Sequence, residues 1–361
     1  MRSGLTSTLF TGLLGLAVGQ FSSVYAQDSE GRWYKGNTHT HTVNSDGDSS
    51  PDHVARWYKE HGYQFLFITD HGYVTDVAPL NALLGASGRF LIMPGEEITQ
   101  SRRGEGRGNE AHVNALFTTK SIRPVGELEC FTWGCVGRAA ASVSLGSTIE
   151  ANVATVKQQG GIAQVNHPNY LWSLKPEDLD ALPDGSLLEI WNGIGETNNL
   201  GGGDGMGDKR PSGEGFWDHA LSLGKVVWGV GADDSHWFQG ERVADPASAG
   251  PGKAWIMVRA SELTPTAIKT AISKGEFYAS TGVNLADINV DEKSFTITIA
   301  QGKDGSRYVT RFIGKGGKVL AEVDGVKPSY HFQGAEAYVR ASIIDSNGRR
   351  AWTQPVFRDG R

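Results

Sequence analysis

Seven short strand-like runs, most of them continuously apolar and each bounded by polar, acidic or imidazole side chains, constrain this chain more than any other feature. They are RWYKGNTHTH, YQFLFITDHG, GRFLIMPGEEIT, AHVNALFT, GGIAQVNHPN, SLLEIWNG and KVVWGVGADDSHW. A continuous apolar run reads as a strand buried on both faces of a parallel sheet. Helical stretches lie between the runs. In SSPDHVARWYKEHG, Ser50 reads as the N-cap and Pro51 as the first turn; Val54, Trp57 and Tyr58 recur at helical spacing and Gly62 is the stop. STIEANVATVKQQG and GEGFWDHALSLG read the same way. Such alternation implies parallel strands joined by right-handed crossovers, and with about seven strands a closed or distorted barrel is more natural than an open sheet.

After TPTAIKTAISKGEFYAST the pattern changes to period two, as in SFTITIAQG, and Asn347-Gly348 within AYVRASIIDSNGRRAWTQPVF is a strong hairpin signal. The expected division is therefore a barrel over 27–285 and a small β-sandwich-like unit over 286–361. Residues 1–26 read as an export signal: Arg2, an apolar run from Leu9 to Val18, then Val24-Tyr25-Ala26 as a cleavage pattern. No other stretch approaches the ~18 apolar residues of a membrane span, so no membrane association is expected after cleavage. The expected location is periplasmic or secreted.

The formal charge of the 361-residue chain is -6, and loss of Arg2 with the leader takes it to -6 - 1 = -7. A mildly acidic surface argues against a nucleic-acid partner. The two cysteines, Cys130 and Cys135 in ECFTWGC, read in an oxidising compartment as a local disulfide, with a two-cysteine metal site the weaker alternative. The densest glycine patch, Gly201 to Gly215, lacks the Gly-Lys-Ser/Thr ending of a nucleotide P-loop and reads as a mobile loop.

The polar residues at the run ends are His39 and His41, Asp70-His71, Glu96-Glu97, His112, His167, and Asp234 with His236. In a barrel the strand ends meet at one mouth. His112 is the untidy one, because it stands at the start of its run. A lone histidine at a strand end is ordinarily a hydrogen-bonded structural residue; the collective pattern is what points to metal. Mixed nitrogen and carboxylate donors suit Zn²⁺, Mn²⁺ or Fe²⁺. The candidates outnumber what one ion takes, which implies two or three divalent ions with a carboxylate such as Glu97 bridging them. Such ions would supply an activated hydroxide and stabilise charge on a transferring phosphoryl or acyl group. His53, His61, His219 and His331 lie away from the strand ends and are left out.

The motifs THTHT, FITDHG, MPGEEIT, EAHVNAL, VNHPN and GADDSHW, in this order over roughly 33–280, resemble the polymerase and histidinol phosphatase (PHP) family. The resemblance implies an α/β fold, a distorted (β/α)7 TIM-like barrel with metals at its mouth. By position it implies one metal on His39, His41, Glu97 and Asp234, a second on Glu97, His112 and His167, and a third on Asp46, His71 and His236. Glu97 is preferred to Glu96 because the family pattern leaves one variable residue after the glycine. Asp46 departs from members that carry a histidine near this point. Asp70 reads as an orienting group rather than a ligand. The tail is similar to that of exported PHP-domain proteins, including the branch with carbamate (carbaryl) hydrolases.

The first functional expectation is an exported metal-dependent phosphoesterase acting on a small-molecule phosphomonoester or phosphodiester; Arg102, Arg103 and Arg107 of SRRGEGRG could reach a substrate phosphate, with solvated surface groups the plainer reading of any one of them. The alternative keeps the metals and takes a carbamate or ester, using Tyr73, Tyr170, Trp172, Trp191 and Trp237 as aromatic walls. A third reading, from another class, is an exported metal- or ligand-binding protein without catalysis.

Overall fold

The computed structural model describes Met1 and residues 31–104, 108–205 and 207–358. The expected leader, apart from Met1, and Arg107 lie outside the described residues. Among the described residues no helix is long and apolar enough to cross a membrane.

The chain is mixed α/β. Strands β1 (Arg32–Asn37), β2 (Phe65–Ile68) and β3 (Leu91–Ile98) are separated by helices α1 (Pro51–Glu60) and α2 (Val77–Leu84). Pro51 sits at the start of α1 as expected, but Ser50 does not cap through its side chain: its hydroxyl donates to Asp52 instead, 2.6 Å. Val54 and Tyr58 on α1 pack with Leu66, Ile68 and Ile92 in one apolar layer. Next come β4 (Gln100–Arg102), β5 (Val113–Leu116), β6 (Glu127–Phe131), β7 (Gly134–Ala139), α3 (Leu145–Gln158), β8 (Ile162–Val165) and β9 (Ser186–Asn192). Helix α3 is capped by the Ser144 hydroxyl and buries Ile149, Val153 and Val156 against the sheet. The glycine-rich stretch forms a two-residue hairpin, β10 (Gly202–Gly203) with β11 (Lys209–Arg210), where a loop was expected. It leads into α4 (Gly213–Ser222), β12 (Val227–Ala232), β13 (Trp255–Ala260), α5 (Pro265–Ser273) and β14 (Phe277–Ser280).

The expected closed ring of parallel strands is corrected on two points. Strand β5 runs antiparallel to both neighbours, β3 and β8. Among the described residues the connection from β3 to β5 contains β4 but no helix, and a parallel return needs a crossover of about a dozen residues or more, usually helical. The ring is also not closed. The sheet runs β12-β9-β8-β5-β3-β2-β1-β13-β14 and continues onward, because β13 occupies the outer edge of β1 in antiparallel register, Arg32 opposite Ala260 through Gly36 opposite Ile256. Residues beyond β1 and β12 meet only at the mouth, where Thr40 bridges Ser235 and the Asp234 amide donates to the His39 carbonyl, 3.0 Å.

Beyond residue 285 the secondary structure is almost entirely β. Strands β15 (Leu285–Val290), β16 (Ser294–Ile299), β17 (Tyr308–Gly314), β18 (Lys318–Asp324), β19 (Ser329–His331), β20 (Tyr338–Asp345), β21 (Arg350–Thr353) and β22 (Val356–Phe357) form two layers. The sheet β15-β16-β19 packs Phe295, Ile297 and Ile299 against Phe312, Val339, Ala341 and Ile343 of the large sheet. The period-two alternation of SFTITI is this buried and half-buried face in turn. Asn347-Gly348 turns β20 into β21, with Gly348 at φ 83°, a left-handed value that favours glycine. Buried Arg340 on β20 ties this layer to α4, donating to Asp218 (2.8 and 2.7 Å) and to Glu214 (2.7 Å).

Candidate metal centre

The HxH pair leaves β1 in extended backbone, so His39 and His41 share a face, and both are fully buried. His39 Nε2 lies 3.1 Å from Glu97 Oε2 and 3.2 Å from Asp234 Oδ1, while His41 Nε2 lies 3.3 and 3.1 Å from the same two atoms. The parallel register of β2 and β3 carries His71 and Glu97 to the same level, and His71 Nδ1 is 3.3 Å from Glu97 Oε2. Strand alternation separates the two glutamates. Glu97 enters the cluster; Glu96 turns to the opposite face, where it accepts from Ser121 at 2.7 Å and from the Ile122 amide, and burial pushes it up to about 7.

Antiparallel β5 resolves the position of His112. Because the strand is reversed, its N-terminal end points to the mouth, and His112 Nδ1 reaches Glu97 Oε1 at 3.1 Å. Its buried Nε2 lies 3.3 Å from Glu110 Oε2 without hydrogen-bond geometry, and has no hydrogen-bond partner among the described residues. His167, after β8, brings Nε2 to 3.4 Å from Glu97 Oε1. Asp46 lies between His71 Nε2 (3.5 Å) and His236 Nε2 (3.4 Å), with His41 Nδ1 also at 3.5 Å. All nine residues singled out as ligands therefore meet at one mouth.

Their atoms form three groups whose members lie within 4.8 Å of one another: His39, His41, Glu97, Asp234; His41, Asp46, His71, His236; and His71, Glu97, His112. The third differs from the grouping implied by the resemblance, with His71 in place of His167. Six imidazoles and three carboxylates, mostly buried and converging, are a donor set that fits borderline divalent ions.

Two of these residues hold uncommon backbone. His167 (φ 25°) and Asp234 (φ 52°) are left-handed although neither is glycine. The His167 amide is fixed by donating to Glu189 Oε2, 2.7 Å. Glu189, in the middle of SLLEIWNG, also accepts from His39 Nδ1 at 3.0 Å and from Asn192 at 2.8 Å. It was missed from the sequence, although a carboxylate inside an apolar strand is itself a signal, because burying an unpaired charge is costly. It fixes the His39 tautomer that leaves Nε2 for the cluster. Glu189→Gln is expected to weaken metal binding roughly 10- to 100-fold with the fold intact. Chelator competition followed by metal analysis checks this, and unchanged affinity would refute it.

Asp70 touches no imidazole. It accepts from Thr42 N (2.7 Å), Thr42 Oγ1 (2.9 Å), Ser45 Oγ (2.8 Å) and Thr75 Oγ1 (2.9 Å), and so shapes the turn that presents Asp46. Asp233, beside Asp234 and also overlooked, accepts from the amides of Gly252, Lys253 and Ala254 at 2.7–2.9 Å and anchors that loop beneath the mouth.

Among the protein's own groups, burial disfavours charge on His39 and His41. Asp234 and Glu97 outweigh it, holding His39 well above the ordinary histidine value and pushing His41 up to about 10. Against the same burial, Glu97 and Glu110 push His112 up to about 10. Burial raises Glu97, Asp46 and Asp234, but adjacent imidazoles prevail and hold all three far below the usual carboxylate range. A raised histidine contributes stability that is complete below its unfolded value near 6.5 and is lost as pH climbs towards 10. A depressed carboxylate contributes stability that is lost as pH falls below its unfolded value, roughly 4. Burial lowers His71, whose contribution is instead lost as pH falls below about 6.5, so chelator-treated protein should unfold at its highest temperature near pH 6. Zn²⁺ or Mn²⁺ requires neutral imidazoles and displaces their protons, so its stabilisation should grow from about pH 6 to 9. Thermal unfolding with and without metal across this range checks both trends, and a pH-independent metal shift would contradict them.

A cavity of about 410 Å³ opens over the cluster, bordered by Asp46, His71, Glu97, His112, His167, Asp234 and His236 together with Tyr170, Glu196 and Trp237. Of the other aromatic candidates, Tyr73 is exposed and Trp191 packs on Trp352 at 5.4 Å. Arg102 and Arg103 border a separate cleft with Glu127 and Glu129; Arg102 donates to Asn109, 3.1 Å, and Arg103 pairs with Glu127. Among the described residues, the arginine that borders the ligand cluster is Arg138, which sequence reasoning did not single out.

No family model and no curated protein matches the chain. Solved structures similar to it include the following two. One is a two-domain protein from Bacteroides vulgatus ATCC 8482 described as containing a predicted PHP-like metal-dependent phosphoesterase: 16% identity, 88% of this chain and 91% of that chain covered, TM-score 0.47. The other, from Bifidobacterium adolescentis ATCC 15703, is described as a candidate metal-dependent phosphoesterase: 17% identity, 56% of this chain and 87% of that chain, TM-score 0.35. The functional reading therefore rests on the residues of the site.

Proposed function

We propose that this chain is an exported metal-dependent phosphoesterase that hydrolyses phosphomonoesters or phosphodiesters at a site for two or three divalent ions, Zn²⁺, Mn²⁺ or Fe²⁺. The observation that carries the reading is Glu97, whose two oxygens lie within 3.4 Å of His39, His41, His71, His112 and His167. A carboxylate placed in this way can bridge ions. His39, His41 and Asp234 would hold one side of it, His112 and His167 another, and Asp46 with His71 and His236 the outermost position. Bound divalent ions supply an activated water near neutral pH and offset charge on a transferring phosphoryl group.

The chain's own contribution is positioning and charge. Six imidazoles bring no negative charge when ligating, so three carboxylates leave part of the ions' charge to an anionic substrate, which favours a phosphoester over a neutral carbamate. Glu189 and Asp70 hold ligand-bearing segments in place, and the left-handed turns at His167 and Asp234 aim those side chains inward. Export is supported by the leader pattern of residues 1–26 and by a Cys130–Cys135 disulfide. The carbamate or ester reading is kept for one reason: Tyr170 and Trp237 border the cavity.

Metal-replete protein is expected to cleave p-nitrophenyl phosphate or its bis ester, with loss on chelation and recovery on re-addition of metal. Turnover of a naphthyl carbamate without either phosphoester would overturn the proposal, and no hydrolysis of any of them would favour a binding protein.

A further inference from the structure

Beside the ligand cluster lies a second cleft of about 280 Å³ that shares Asp46, His71, His112 and Tyr170 with the cavity over the ligands and takes a further wall from Phe131 and Trp133. Strands β6 and β7 form an antiparallel hairpin with Cys130 opposite Cys135, closed by their disulfide. The tip is pressed onto the His71 turn: a Cβ on Gly134 would stand 2.8 Å from the His71 carbonyl oxygen, so only glycine allows this approach. Trp133 meets the His71 ring edge-on at 5.4 Å between centroids, and Phe131 stacks parallel on Trp133 at 5.2 Å. Phe131 is 42% exposed, an apolar ring held at the rim of a polar site. Across the cleft stands Tyr170, which also borders the cavity over the metal ligands. Arg138 lines the same cleft, held by Glu129 at 2.6 Å and Ser101 at 2.7 Å.

We infer that this disulfide-clasped hairpin forms an aromatic subsite that selects esters whose organic part is a planar ring, with Trp133 as the specificity-determining residue. The inference rests on the phosphoesterase reading and names its substrate class: aryl or similarly flat phosphoesters in preference to alkyl ones. The cleft is large enough, since roughly 150 Å³ suffices to hold a benzene ring. Stacking and edge-to-face contacts favour a flat π system over an alkyl chain of similar size. The disulfide and the Gly134 contact keep the aromatic pair against His71, so the ring site and the phosphoryl site share one wall.

The test measures binding rather than turnover. Phenylphosphonate and ethylphosphonate are titrated calorimetrically into metal-loaded full-length protein, its Trp133→Ala variant and its Phe131→Ala variant, with metal content determined for each. The expected result is about tenfold tighter binding of phenylphosphonate by the wild type. The preference should be lost in Trp133→Ala and reduced in Phe131→Ala, with metal content unchanged. Phe131→Ala, at an exposed ring, carries the test if Trp133→Ala disturbs the His71 turn. Equal affinities, no binding of either probe, or a preference that survives both variants would overturn the inference. A Trp133-dependent preference without p-nitrophenyl phosphate hydrolysis would leave the subsite standing and remove the phosphoesterase reading. Hydrolysis without preference would do the reverse.

Discussion

Glu97→Gln is expected to remove at least one metal ion and lower kcat/KM by on the order of a thousandfold, beyond the roughly 10- to 100-fold typical of groups that only orient a ligand. The carboxylate is 1% exposed, contacts five imidazoles and accepts from Asn166 Nδ2 at 2.8 Å. Burial alone would raise its pKa; His39, His71 and His112 hold it well below the ordinary glutamate value instead. Glutamine keeps the shape and removes the charge that brings the donor groups together. It also turns one oxygen into an N–H donor facing imidazole nitrogens that must themselves be acceptors towards a cation. Metal analysis together with phosphoester kinetics checks the prediction, with near-ultraviolet circular dichroism to establish that the fold survives. Full metal content and activity would show that Glu97 is a structural carboxylate satisfied by histidines.

The second large effect is on stability. Arg340→Met is expected to cost about 3–5 kcal/mol, because it removes one partner of a buried ionic network and leaves the others uncompensated. Arg340 is 1% exposed, forks onto Asp218 at 2.8 and 2.7 Å, reaches Glu214 at 2.7 Å and lies 4.9 Å from the centre of the Trp217 ring. Tyr338 donates to the same Asp218 at 3.0 Å. The network joins β20 to α4, so its loss loosens the β layer from the part of the molecule that carries the candidate metal ligands. Denaturant unfolding measures the effect, and Asp218→Asn in the same chain should recover part of it, as expected of coupled neighbours. A loss below about 1 kcal/mol would place this pair with ordinary surface ion pairs.

Five residues mark how far the site was legible. His112 looked misplaced because its strand was read as parallel to the others. Nothing in AHVNALFT carries direction, and only pairing with β3 and β8 reveals the reversal that turns the start of the run towards the mouth. Glu96 and Glu97 differ by one position, and in a strand one position is the opposite face; without register, only the family resemblance separated them. Glu189 was passed over as part of an apolar run. Its partners come from residues 39, 164, 167 and 192, which no local pattern connects. Arg138 was missed for a similar reason: it stands on a hairpin far in sequence from the ligands and reaches their neighbourhood because β7 pairs with β4.

The sequence by itself determined the residue types and their order: short apolar runs bounded by imidazoles and carboxylates, a change to period-two strands near residue 286, and two cysteines close enough to clasp a hairpin. Those features are local, set by side-chain periodicity and by the chemistry of each donor. The tertiary structure alone decided that the sheet stays open. β13 takes the edge of β1 that closure would require, and hydrogen-bonding edges can be used only once. It also decided which carboxylate stands among the imidazoles, how the histidines group around it, and that an aromatic hairpin stands against His71. These are consequences of register and of long-range pairing, which depend on how distant segments share the same backbone donors and acceptors rather than on any one segment's composition.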